Sequence, residues 1–108
     1  MMMVYYTITM RKATLIIDTK TVLQDGRILQ RKIWQLPQPE PGRPSGWKYS
    51  LYCGLYGRTI VRYDNETGKG DHRHVGAQEL ESPYAFISLA QLLADFARDV
   101  ERLSGEIK

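Results

Sequence analysis

Between Trp47 and Leu55 the chain alternates. Trp47, Tyr49, Leu51, Cys53 and Leu55 are separated by Lys48, Ser50, Tyr52 and Gly54. A period of two puts the first set on one face of a strand, and that face must be covered. The cover comes later in the chain. Leu89, Leu92, Leu93, Phe96, Val100 and Leu103 recur with helical spacing and form an apolar stripe. Ser88 and Gln91 make a capping box ahead of this stripe, Ile87 and Leu92 a staple, and Gly105 a stop. Period two followed by period 3.6 predicts an α+β fold: an antiparallel meander of four or five strands packed against a C-terminal helix.

The remaining strands are predicted on either side of the alternating segment. ATLIID at 13–18 is β-branched and apolar. Segments 20–24 and 27–35 flank Asp25-Gly26, a pair suited to a type I′ hairpin turn. The core face of the second arm stays open between Ile33/Leu29 and Trp34/Ile28. RTIVRYD at 58–64 continues the sheet after a turn at Gly57. PQPEPGRPSG at 37–46 holds four prolines and two glycines, and predicts a semi-rigid surface connector without regular structure. One domain over 1–108 is expected, with 1–11 as an N-terminal strand or arm.

Composition narrows the class. The chain is 43% hydrophobic and 25% charged, as in an ordinary soluble globule. No apolar run reaches the roughly 18 residues of a membrane span. The start lacks the cationic segment and cleavage site of a signal peptide. Cys53 stands alone within the alternating strand and reads as a small buried hydrophobe. One cysteine excludes an internal disulfide and fits the cytoplasm. Charge is uneven. Residues 1–48 carry eight Lys/Arg against three Asp/Glu, and residues 75–108 carry three against six. A basic front suits nucleic acid, and an acidic tail suits a basic partner.

Packing does not ask for the run RYDNETGKGDHRH at 62–74, which holds both histidines. His72 and His74 stand at i and i+2. In extended chain they share one side, with Asp71 and Arg73 on the other. Two histidines can divide general base and general acid work between them. RNA cleavage through a 2′-hydroxyl needs that pair plus cations for the charged phosphorane. Arg62, Lys69 and Arg73 are the candidate clamp. Tyr52 and Tyr56 are candidates for base stacking. A divalent ion held by His-x-His with Asp71 and Asp64 uses the same residues. A zinc site would then want a further ligand, and the cysteine lies in another strand. The bland alternative is a solvated turn built by Asp64-Asn65 and the glycines. No P-loop or zinc-finger spacing is present.

The RYDN of Arg62–Asn65, the Gly-Lys-Gly-Asp-His-Arg-His of 68–74 and the pattern across Leu92–Phe96 resemble the TumE family of toxin–antitoxin toxins. The resemblance covers roughly residues 13–103. It implies a toxin neutralised by a helix-turn-helix antitoxin. Arg62, Tyr63, Asp64, Asn65, Asp71, His72, Arg73 and His74 are its signature. The expectation is a metal-independent endoribonuclease without cofactor. His72, His74, Arg62, Asp71 and Arg73 would be catalytic. Lys69, Tyr63, Asp64, Asn65, Tyr52 and Tyr56 would bind substrate. The alternative is a non-catalytic module that holds RNA or the antitoxin. A homodimer is allowed and a membrane partner is not expected.

Overall fold

The computed structural model describes residues 12–65 and 69–105. The expected N-terminal strand or arm at 1–11 lies outside these residues. Six strands follow in chain order: β1 (Thr14–Val22), β2 (Ile28–Gln35), β3 (Trp47–Leu55), β4 (Arg58–Asp64), β5 (His72–Val75) and β6 (Leu80–Pro83). Helix α1 (Leu89–Gly105) follows the strands. The strands form one antiparallel sheet in the order β1-β2-β3-β4-β5-β6. The expected class holds, with six strands instead of four or five. β5 and β6 are four residues each and polar, so neither carries an apolar alternation that could have announced it.

The β3 alternation sets the core. Tyr49, Leu51 and Cys53 are buried, with Ile33 of β2 and Val61 and Tyr63 of β4 beside them. Leu92, Phe96, Val100 and Leu103 of α1 complete the cluster. Burying one such side chain contributes roughly 1.5–3 kcal/mol. The open question in β2 is decided for Ile33 and Leu29. Trp34 faces the other way, where Lys48 Nζ stands 4.8 Å from its ring centre. Gln91 N–H donates to Ser88 Oγ at 3.0 Å, as a cap should. The Gln91 side chain turns to Asp95 instead of completing the box. Ile87 is exposed, so no staple forms.

Two turns differ from expectation. Asp25-Gly26 does not form a type I′ pair, because of these two only Gly26 has positive φ. Gly26 N–H donates to Leu23 O and Leu23 N–H to Arg27 O, which makes a three-residue loop ending in a left-handed glycine. The turn with both central φ positive is Tyr56-Gly57, at 52° and 76°, joining β3 to β4. The proline-rich segment is also more ordered than an extended connector. Arg43 N–H donates to Glu40 O across Pro41-Gly42, and Gly42 has φ of 80°. Arg43 is buried and its Nε donates to Asn65 O at 2.6 Å. That single contact pins the connector to the end of β4.

Candidate functional site

The pleat sorts the sequence motif into two faces. In the β4–β5 ladder Arg62 lies opposite His74, Asp64 opposite His72, and Tyr63 opposite Arg73. In the β5–β6 ladder Glu81 lies opposite His74. Directly opposed residues share a face. Tyr63 and Arg73 therefore face α1. Arg62, Asp64, His72, His74 and Glu81 face the side of the sheet that α1 leaves open. With Lys69 and Glu79 they line a polar cavity of about 300 Å³.

Within the cavity the two imidazole rings are 6.4 Å apart, centre to centre. His72 Nε2 lies 3.3 Å from a Glu81 oxygen. His74 stands between two carboxylates, with Nε2 at 3.9 Å from Asp64 and Nδ1 at 3.9 Å from Glu81. Arg62 is held tightly. Nη1 donates to Asp64 at 2.6 Å and Nη2 to Glu79 at 2.7 Å. Its Nε is buried and has no hydrogen-bond partner among the described residues. Arg62 thus bridges two acids, which leaves little of its planar fork for a phosphate. Lys69 is exposed and contributes a second cation to the lining.

Glu79 belongs to the β5–β6 turn and has φ of 51°, uncommon for a residue with a side chain. Thr59 Oγ1 donates to it at 2.7 Å, and Arg62 holds its other oxygen. The Thr59 hydrogen bond, helped by Arg62 and outweighing desolvation, keeps the Glu79 carboxyl below its ordinary range. Neither Glu79 nor Glu81 was among the candidates read from the sequence. Their pairing with residues across a turn leaves no local signal.

The other signature residues stand elsewhere. Tyr63 is buried and its hydroxyl donates to Asp99 at 2.5 Å. Arg73 Nε donates to the same carboxylate at 2.7 Å. Asp99 itself is buried on α1. Burial alone would raise its pKa, but the hydrogen bonds from Arg73, Tyr63 and Arg102 outweigh this and lower it. Asp71 accepts from the Tyr49 hydroxyl at 2.5 Å; burial first, then this bond, pushes that phenol far above its ordinary range. Asn65 is buried. Its Oδ1 accepts from Tyr49 N–H and its Nδ2 donates to Trp47 O, so it fastens the start of β3. Tyr52 is half-buried with its ring over Gly54, where an added Cβ would meet the Tyr52 hydroxyl at 2.0 Å. Tyr56 projects from the turn and is exposed. Neither tyrosine lines the cavity.

Among the described residues no group of three His, Cys, Asp or Glu side chains converges to hold a metal ion. The Arg62 bridge accounts for part of this, since it occupies Asp64 and Glu79. Cys53 is buried, and burial raises its thiol pKa, which suits a packing role. No helix among the described residues is long and apolar enough to cross a membrane.

Among the described residues, a six-stranded antiparallel sheet backed by one helix, with paired histidines in a charged cavity lined from β4, β5 and β6 on the open face, defines a small α+β protein. The chain belongs to the family described as Toxin TumE, whose model matches residues 8–104. It is accordingly the toxin component of a toxin–antitoxin system, and an antitoxin is its partner. No curated protein and no solved structure matches the chain.

Proposed function

We propose that this toxin is a metal-independent endoribonuclease in which His72 and His74 exchange protons with RNA. The observation that carries the reading is the histidine pair at 6.4 Å on one wall of one cavity, backed by Glu81. Two hydrogen bonds of about 2.8 Å and the width of a phosphate together span a gap of this order. One imidazole takes the proton of the 2′-hydroxyl. The 2′ oxygen attacks phosphorus and the bond to the 5′ oxygen breaks. The other imidazole protonates that leaving oxygen, so the products are a 2′,3′-cyclic phosphate and a 5′-hydroxyl. Glu81, close to both rings, orients them and steadies whichever is an imidazolium. Arg62 acts as a positioning residue through Asp64 and Glu79, and Lys69 on the cavity lining supplies a cation for the phosphate.

The cavity lining carries Asp64, Glu79 and Glu81 against Arg62 and Lys69. With both histidines neutral the sum is −1, which weakens the hold on a phosphate. Exchange of protons by two groups makes the cleavage rate bell-shaped in pH. The same excess of acids favours a second reading, a binding module without catalysis. One experiment separates the two. Purified toxin is incubated with RNA in excess chelator beside His72→Ala/His74→Ala. Cleavage by the wild type, ending in cyclic phosphate and lost in the double variant, supports the enzyme. Equal cleavage by both proteins rules this mechanism out. Binding without cleavage leaves the module.

The partners in this reading are RNA and a helix-turn-helix antitoxin acting in the cytoplasm, with a second copy of the chain as a third. Within the acidic tail, the exposed Glu101 is the described acid placed to steer a basic antitoxin. Asp99 is buried, Asp95 accepts from the Tyr84 hydroxyl at 2.5 Å, and Glu106 lies outside the described residues.

A further inference from the structure

Among the described residues, the two edges of the sheet are built differently. β6 is four residues long, ends in Pro83 and carries Glu81. Short length, proline and charge are the usual ways of blunting an edge. β1 is nine residues long and has no proline or glycine. All of it but Ile17 is exposed, and Leu15, Ile16 and Val22 are among the exposed large hydrophobics. Such an edge is a template for another strand.

The sequence of β1 is complementary to itself. Two antiparallel strands related by a two-fold axis through the sheet pair residues whose numbers sum to a constant even value, centred on one residue. Centring on Thr19 places Asp18 opposite Lys20 of the second copy, and Lys20 opposite its Asp18. It also sets Ile17 opposite Thr21. Centring on Asp18 opposes two carboxylates, and centring on Lys20 opposes two ammonium groups. Centring on Ile17 sets Asp18 against Ile16. The faces agree as well. Asp18 and Lys20 pair with Lys32 and Gln30 of β2 on the open face, and Ile17, Thr19 and Thr21 pair with Ile33, Arg31 and Leu29 on the helix face. The bulge between Leu15 and Ile17 leaves residues 17–22 in regular register.

We propose that β1 pairs with β1 of a second copy, centred on Thr19, to give a homodimer with one continuous twelve-stranded sheet. The charge pairs select the register, and Ile17 and Thr21 face each other at both ends of it. The inference does not rest on the ribonuclease reading. Nine strand spacings of about 4.8 Å put the two histidine cavities roughly 40 Å apart along the sheet, so neither completes the other.

The test is sedimentation of the full chain over a range of concentrations, for wild type, Lys20→Asp and Asp18→Lys. Wild type forms a dimer. Each single variant opposes like charges at two symmetric positions, which weakens the dimer Kd about 10-fold or more. An equimolar mixture of the two variants regains the dimer, because each supplies the charges the other lacks. The double exchange Asp18→Lys/Lys20→Asp regains it alone. Circular dichroism and melting curves establish that all variants fold. A wild type that stays monomeric at about 100 μM overturns the proposal and frees the edge for a strand of another protein. Single variants that dimerise like wild type overturn it, and so does a mixture that stays monomeric. RNA cleavage by the monomeric variants at wild-type rate is the expected companion result.

Discussion

Replacing Asp99 with alanine separates a structural role for Arg73 and Tyr63 from a catalytic one. Asp99 is 2% exposed and binds both groups, joining α1 to β4 and β5. Its removal leaves the Tyr63 hydroxyl buried without an acceptor, at a cost of about 1–3 kcal/mol. The charge-assisted bond from Arg73 is lost too. The Arg73 side chain is 26% exposed, so water recovers part of that and about 1 kcal/mol is a fair share. The sum is about 3 kcal/mol, which for a domain near this size lowers Tm by roughly 12–20 °C. Thermal unfolding at neutral pH, with the exposed Glu101→Ala as control, measures it. The pH dependence is a second check. The Asp99 pKa is lowered in the fold, so its contribution is complete above the unfolded carboxylate pKa and fades as pH falls through the folded value. The gap between wild type and Asp99→Asn should therefore narrow in acid. If Asp99→Ala melts within a few degrees of Glu101→Ala, the hub is not structural, and Arg73 returns as a candidate for the chemistry.

Three further outcomes follow from named contacts. Asn65→Ala removes one buried and one partly buried hydrogen bond to the start of β3 and should cost about 2–4 kcal/mol in urea unfolding. At the Tyr56-Gly57 turn, Tyr56→Asn should leave stability unchanged or raised by up to about 1 kcal/mol, whereas the β-branched Tyr56→Val should lower it by about 1–2 kcal/mol; melting temperatures decide. Glu81→Gln should slow RNA cleavage about 10-fold or more with KM little changed, because the imidazoles lose the carboxylate beside them; an unaltered rate removes Glu81 from the proton transfers.

The local pattern alone determined much of this protein. Alternation in 47–55 gave the buried Tyr49, Leu51 and Cys53, and the leucine stripe gave the face of α1. The spacing of His72 and His74 put both on one side with Asp71 and Arg73 off it, since a pleat repeats every two residues. What the sequence left undecided concerns partners far along the chain. Glu79 and Glu81 reach the cavity because β5 turns back on itself, and β6 is a strand because β5 lies beside it. No local pattern sets Asp99 apart from the other acids of the helix, Asp95 and Glu101. It is a buried carboxylate because Tyr63 and Arg73 arrive under it from the sheet. Arg62 looked like a phosphate clamp, and the acids brought around it make it a bridge. The repeat of the backbone fixes which way a side chain points. What it meets there depends on segments joined by loops, and no local period carries that information.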